Sequence, residues 1–256
     1  MPVPVTPLTS AHAHNDYEHA RPLLDALDNG FCSVEADVFL VEGKLLVAHE
    51  RNRVRPERTL QALYLEPLRQ HAKKNNGRIY PNSPVSILLL IDIKTDAAAT
   101  YPVLRTVLDQ YRDILTEFGP DTTRPGAVTA VLSGGRPPLA SFAAEKKRLS
   151  AYDGRPGDLD GGASPSVMPL VSESWEALSS WWGAPGVPLP DADLRKVQEI
   201  IRRAHQKGYR VRFWAIPDTP VVWRTMRDLG VDLINTDDLP GLRRFLTTPP
   251  PVPAAP

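Results

Sequence analysis

Glu35 and Asp37 stand two residues apart in the segment 31–50, FCSVEADVFLVEGKLLVAHE. Val34, Ala36 and Val38 around them read as a strand, and in a strand residues i and i+2 project to one face. Two carboxylates on one face of an apolar strand repel, and a hard divalent cation with oxygen ligands relieves that repulsion. The blander alternative is a solvated acidic face. A tight turn at Glu42 and Gly43 sends the chain back through Leu45, Leu46, Val47 and Ala48 to His49, close to the same place. The two-residue spacing recurs twice. Asp92 and Lys94 end the run 85–94 (VSILLLIDIK), and His12 and His14 sit in 8–14 (LTSAHAH). Carboxylates beside histidines have the composition of a metal-assisted acid/base site.

Positioning these groups requires regular elements, and strands and helices alternate along most of the chain. Strands are read near residues 8, 32, 85, 127, 149, 167, 209 and 232. Helices are read over 21–29, 59–74 (with Leu60, Leu63 and Leu68 on the buried side), 97–118, 139–147, 191–207, 219–229 and 239–246. The helix over 191–207 is the clearest, with Asp191 as its N-cap and Gly208 as its stop. Eight βα units in a chain of 256 residues predict a single α/β domain of the (β/α)8 barrel class, over 1–246. An open doubly wound sheet is the second choice. It usually carries a glycine-rich phosphate turn after its first strand, and HAHNDYEH is not one. The end of the chain, 247–256 (TTPPPVPAAP), reads as an extended, disordered tail. In a barrel the active site lies at the C-terminal ends of the strands, and His12, His14, Glu35, Asp37, Asp92 and Lys94 all fall there.

Composition narrows the partners. Thirty basic residues balance thirty acidic ones, which leaves no electrostatic footprint for nucleic acid and argues for no more than brief contact with an anionic membrane. The single cysteine, Cys32, excludes an intrachain disulfide and reads as a small buried hydrophobe. The longest apolar run, 87–91, is too short to cross a bilayer. The opening MPVPVTPLTS lacks the basic end and apolar core of a signal peptide. A trimmed precursor would look the same, so cytoplasmic and secreted or cell-envelope locations both stay open.

Three segments, AHAHND, VEADVFLVEGKLLVAHE and LLLIDIK, together resemble the glycerophosphodiester phosphodiesterase and phosphatidylinositol-specific phospholipase C superfamily. The closing GYRVRFWAIPDTPVVWRTMRDLGVDLINTDDLPGL is similar to the last two units of that barrel, with Trp214 in its usual place. The stretch 97–207 carries no resemblance. The resemblance implies one divalent cation, Mg or Ca, held by Glu35, Asp37 and Asp92, with Asn15 as a further ligand in the phospholipase pattern. It implies His49 as one acid/base group, His14 or His12 as the other with His14 preferred, and Lys94 beside the phosphate. The expected activity is hydrolysis of a glycerophosphodiester or related phospholipid headgroup, by a monomer acting on a small-molecule or lipid phosphodiester. The His-Arg-Gly common after the first strand is missing, and with it a phosphate-holding arginine. That absence motivates a second expectation, a non-catalytic barrel that binds phosphorylated headgroups.

Other residues are weaker candidates. Arg136, after Ser133-Gly134-Gly135, is a replacement for the missing arginine or a solvated loop residue. Tyr152 and Asp153 end a strand and are placed near the substrate alcohol. Trp214 is directed into the barrel mouth as a substrate contact. Trp175, Trp181 and Trp182 form either an aromatic wall, suited to a choline-like cation, or packing under a loop. Asn235 and Asp237 are candidates to orient site residues, and Asp237 is alternatively a helix cap. His19 is placed near the rim, and His71 and His205 on helix surfaces.

Overall fold

An apolar run such as ILLLIDI has no polar face to offer water, so it needs cover on both sides. The computed structural model, which describes residues 5–119 and 122–248, provides that cover by closing a barrel. Its strands are β1 (Leu8–Ala13), β2 (Phe31–Val41), β3 (Lys44–Val47), β4 (Ile87–Ile93), β5 (Glu117–Phe118), β6 (Thr123–Arg124), β7 (Val128–Gly134), β8 (Ser150–Gly154), β9 (Leu170–Ser174), β10 (Arg210–Trp214) and β11 (Leu233–Thr236). β1, β2, β4 and β7 to β11 pair in parallel, and β1 bonds both β2 and β11, so the ring of eight closes. β3 adds to β2 antiparallel, and β5 and β6 make a separate small hairpin. The intervening helices are α1 (Leu24–Asp28), α2 (Glu66–Lys74), α3 (Ala97–Asp109), α4 (Leu139–Ala143), α5 (Trp175–Leu178), α6 (Asp191–Gln206), α7 (Pro220–Leu229) and α8 (Leu239–Thr247). Among the described residues no helix is long and apolar enough to cross a membrane.

Period-two alternation sorts the side chains. Ile87, Leu89, Ile91 and Ile93 of β4 face the helices and join the main core, while Leu88 and Leu90 face the lumen. Leu88, Leu90, Val131, Ala151, Leu170 and Leu233, with Phe118, form a separate apolar plug inside the ring. The buried polar residues His12, Ser33, Glu35, Asp37, Ser133, Asp153, Ser172, Arg212 and Asn235 also lie on these strands. The lumen therefore changes from apolar to charged along its axis.

Several boundaries differ from the sequence reading. The helix over 97–118 stops at Asp109, because the chain then turns to lay Ile114 and Thr116 against β7: the Val128 amide donates to Ile114 O at 3.0 Å, and the Thr116 amide to Val128 O at 2.8 Å. Gly126 permits this approach, since a Cβ there would sit 2.3 Å from the Leu115 carbonyl carbon. Asp191 is the first helical residue of α6, with Pro190 before it, where a carboxylate still meets the positive end of the helix dipole. Gly208, at φ 78°, ends that helix as expected. Thr247 belongs to α8, and the tail expected over 247–256 lies outside the described residues from 249 onward.

β2 outruns its barrel partners and folds back through Glu42 (φ 49°) and Gly43 (φ 75°), the two left-handed residues of a type I′ hairpin turn. Val38 pairs with Val47, so Ala48 returns beside Asp37, its amide 3.3 Å from the Asp37 carbonyl. After β1 the chain makes a 3-10 turn, Asp16–Glu18, whose first residue is fully buried. The Asp16 carboxylate accepts from the Leu23 amide at 2.6 Å and the Tyr64 hydroxyl at 2.8 Å, which pins Leu23 at φ 64°. Burial outweighs these bonds and pushes the Asp16 carboxyl up to about 6. A folded pKa above the unfolded value means that the acid form is favoured on folding. The resulting penalty is absent at low pH and grows as pH rises through the folded pKa. Asp16→Asn should therefore gain stability relative to the native chain between pH 4 and pH 8, by about 2 kcal/mol. Urea unfolding at the two pH values measures this, and a difference independent of pH would exclude a buried ionised Asp16.

Candidate active site

The strand register sets the charges side by side. Asp37 of β2 pairs with Asp92 of β4, and Asp92 with Ser133 of β7. With Glu35 added, one oxygen from each of the three carboxylates lies within 4.8 Å of the others. Burial, and then the field of Glu35, raise the carboxyl of Asp37 to about 7 and lift that of Asp92 above its usual range. Lys94 bridges the pair, its Nζ 3.1 Å from Asp37 and 3.3 Å from Asp92, and their charges outweigh burial to raise its own pKa. Glu35 behaves oppositely: burial disfavours its charge, but the Arg212 guanidinium, 3.3 and 3.2 Å from its two oxygens, holds it well below the carboxylate range. Asp92 Oδ1 is shielded from solvent and meets the Lys94 ammonium at 3.3 Å without a well-formed hydrogen bond. Gly134 makes room for it, since a Cβ there would lie 2.0 Å from that oxygen. Three hard carboxylate donors within 4.8 Å of one another, with Lys94 as the cation between two of them, fit a divalent cation of the Mg or Ca type.

Two histidines flank the trio. His14 Nε2 is 3.9 Å from Glu35, and its Nδ1 donates to Asp237 at 2.9 Å. Burial works against its charged form, but the Asp237 bond and the field of Glu35 prevail and raise its pKa. His49, on the other side, lies 3.6 Å from Asp37. The buried Tyr17 hydroxyl stands between them, donating to Asp37 at 2.6 Å and lying 2.9 Å from His49 Nδ1. A hydroxyl has one hydrogen, so His49 Nδ1–H is the donor in the second contact and Nε2 is left as the free base. Asn15 lies between Tyr17 and His14, its Oδ1 2.8 Å from the Tyr17 oxygen and its Nδ2 3.0 Å from His14 Nδ1.

His14, Asn15, Glu35, Asp37, His49, Asp92 and Lys94 line one cavity of about 210 Å³ with Ser133, Arg155, Arg212 and Trp214. Three candidates do not reach it. His12 is fully buried below, bonded to Ser33 Oγ at 2.7 Å and facing Glu35 at 3.6 Å. Burial and Arg212 push its pKa down to about 3, so it packs against Glu35 as a neutral ring, and of the two histidines His14 is the one that lines the cavity. Arg136 turns away from the cavity to the Asp153 carbonyl and the face of Tyr152. Tyr152 is buried between Phe142 and Arg136, and its hydroxyl donates to Pro137 O at 3.1 Å. The arginine that does line the cavity from a loop is Arg155. It stacks 4.9 Å over Trp214 and is held by Asp153 Oδ2 at 2.9 Å. Asp153 itself is saturated, accepting from Ser133 and Ser172 at 2.8 and 2.6 Å, and does not reach substrate space.

Arg155 and Arg212 were not singled out from the chain. Arg155 sits two residues beyond Asp153, a spacing like that of Asp92 and Lys94. Arg212 alternates with Trp214 on one face of β10, and both signals were available. Asn235 orients Arg212, accepting from its Nε at 2.9 Å, while Asp238 rather than Asp237 caps α8. The aromatic wall is overturned. Trp175 and Trp181 are core residues whose indole nitrogens donate to Trp181 O and Val187 O, both at 2.8 Å, and Trp182 is exposed outside the cavity. Trp214 is the one tryptophan lining the cavity, and guanidinium groups already lie over its ring.

Residues 3–153 match the model of the AIM6-like phosphodiesterase domain. A protein of Arthroderma benhamiae, "Altered inheritance of mitochondria protein 6 homolog", is 34% identical over 93% of this chain and 82% of its own length. The chain belongs to the AIM6-like phosphodiesterase family. A second relative, "Altered inheritance of mitochondria protein 6" of Eremothecium gossypii, is 34% identical over 95% of this chain and 70% of its own. Residues 210–240 match the glycerophosphoryl diester phosphodiesterase family model, which places the AIM6-like chain in that superfamily. The solved glycerophosphodiester phosphodiesterase of Agrobacterium tumefaciens shares its fold, with a TM-score of 0.54 at 18% identity over 94% of this chain and all of that one.

In this AIM6-like barrel the His14–Asp237 contact makes a direct prediction. Replacing Asp237 by Asn removes the charge that favours imidazolium, so the His14 titration midpoint should move to lower pH. An NMR titration of the ring protons reads it, and an unmoved midpoint would deny Asp237 the role.

Proposed function

We propose that this protein is a metal-dependent phosphodiesterase that hydrolyses a glycerophosphodiester or a related phospholipid headgroup. One observation carries the reading: three clustered carboxylates lie between two histidines that are each tied to a separate acid or hydroxyl. A barrel that only bound phosphate would need cationic donors but no such pair of imidazoles.

Glu35, Asp37 and Asp92 would hold the divalent cation. When bound, it polarises a non-bridging phosphoryl oxygen and offsets transition-state charge. Lys94 and Arg155 present positive charge to the other phosphoryl oxygens, with Arg155 braced against Trp214 so that little reorganisation is needed. The free nitrogens of His14 and His49 remove a proton from the nucleophile and return one to the leaving oxygen. Asp237 favours the protonated form of the first, and Tyr17 sets the tautomer of the second. The nucleophile is water or a neighbouring substrate hydroxyl, and a cyclic phosphate product would distinguish the second.

Hydrolysis of a generic aryl phosphodiester should require Mg or Ca and disappear on chelation. His49→Ala should lower turnover by about 10²- to 10⁴-fold, the usual contribution of general acid/base catalysis, with calorimetric metal affinity retained. Glu35→Ala should abolish both. Activity that persists through chelation and through Glu35→Ala would sink the metal role. Binding of glycerophosphoryl ligands without turnover of any diester would favour the binding-only barrel. Arg155→Ala should mainly raise KM, and Arg155→Lys should not restore it, because a lysine cannot reproduce the stacked fork.

A further inference from the structure

Directly after His49 the chain reads ERNRVRPER, which puts Arg51, Arg53, Arg55 and Arg58 within eight residues. None of them has a part in the chemistry above. They lie on a loop whose two ends are tied down. Its first part is a 3-10 turn, Arg51–Arg53. Its second part returns to β3, where the Val47 amide donates to Arg58 O at 2.7 Å and Leu46 bridges to Thr59. The Arg58 guanidinium donates to the Tyr17 carbonyl at 2.5 Å, which clamps the loop to the turn after β1.

Between loop and turn lies a concavity of about 530 Å³, lined by Tyr17, His19, Arg53, Arg55 and Arg58, with Glu18 at its edge. Its charges are unbalanced. Glu18 stands 3.8 Å from Arg53, and among the described residues Arg55 has no ion-pair partner. His19 Nε2 is shielded from solvent and has no hydrogen-bond partner. Three arginines and an unpartnered imidazole nitrogen thus line the concavity with one carboxylate, an excess of positive charge that an anion would stabilise. The recess adjoins the catalytic cavity. Tyr17 lines it, while the hydroxyl of the same residue touches Asp37 and His49, and the Tyr17 and His49 rings stack at 6.4 Å. A substituent of the scissile diester on the His49 side would pass over this pair of rings into the recess.

We propose that the Arg53–Arg55–Arg58 recess is a second anion subsite that takes a phosphomonoester carried by the substrate alcohol on the His49 side. The inference rests on the phosphodiesterase reading and adds a substrate class to it: diesters bearing a further phosphate, rather than the cationic headgroups that an aromatic wall would have suited. A neutral net charge and a concave shape favour a group on the substrate over a flat anionic membrane as the occupant.

The test compares glycerophosphoinositol with glycerophosphoinositol 4-phosphate on the full chain and on Arg53→Ala/Arg55→Ala. Both replaced side chains are exposed, and activity on the unphosphorylated diester reports that the variant is folded. The native chain should show kcat/KM about tenfold higher for the phosphorylated diester, the size of one charge-assisted hydrogen bond at a partly exposed site. The double variant should lose that preference and keep its rate on the other diester. Equal rates in the native chain would overturn the subsite and leave the phosphodiesterase reading standing. No hydrolysis of either diester would overturn both. Sedimentation with phosphatidylserine vesicles is the remaining arm: arginine-dependent binding there, without a preference between the soluble diesters, would assign the recess to a membrane and overturn the proposal.

Discussion

The structure turns on like charges held at adjacent register positions. Asp37 and Asp92 face each other across neighbouring parallel strands, and Glu35 stands one pleat below on the same face. In water such a trio would separate, whereas in a barrel the strand register forbids it. The surrounding residues answer this repulsion one by one. Arg212 takes Glu35, Lys94 spans Asp37 and Asp92, and Tyr17 gives its hydrogen to Asp37. What they leave is a buried Asp92 oxygen with an ion pair to Lys94 but no well-formed hydrogen bond, and an Asp37 carboxyl raised to about 7. Both are signs of a positive charge still needed, which a divalent cation among oxygen donors would supply. Lys94, Arg155 and Arg212 line the same cavity as the three carboxylates.

Second contacts around this centre are as specific as the first. His12, Asn235 and Ser33 lie at paired register positions under the cavity and hold Glu35 and Arg212 in place. Gly134 supplies the space in which the Asp92 carboxylate sits. The hairpin turn at Glu42 and Gly43 brings His49 back to the residue it serves. Buried polar groups of this kind cost stability unless each is satisfied, and nearly every one in the lumen has its partner. Those without a well-formed hydrogen bond, Asp92 Oδ1 and His12 Nε2, face Lys94 at 3.3 Å and Glu35 at 3.6 Å.

The barrel also allows a cationic group to come from a different strand end. The cavity receives a guanidinium from Arg155, directly after β8, while the loop after β1 carries no arginine at the position of the superfamily's His-Arg-Gly. A barrel mouth is built from eight strand ends, so a group can be moved from one to another provided its tip reaches the same point. Asp153 anchors Arg155 and Trp214 gives it a flat face at the cavity.

Most of the fold and the centre of the site were legible in the residues alone. Alternating βα segments specify a barrel, and two-residue spacing assigns Glu35 with Asp37, Asp92 with Lys94, and His12 with His14 to shared faces. The hairpin that returns His49 was readable because Glu-Gly at a turn has few alternatives. Depth and reach were not readable. Spacing tells which face a side chain takes, but not how far along the barrel axis it lies, so His12 and His14 were equivalent until one proved to be buried under Glu35 and the other opened to the cavity. The same holds for Arg136 and Arg155, two loop arginines that differ in which carbonyl or carboxylate captures them. Three tryptophans close together suggested a surface, yet two found acceptors for their indole nitrogens inside the core. Local pattern determined the elements and the residue types at their ends. Only tertiary closure, which sets register and distance between segments far apart in the chain, decided which of those residues meet.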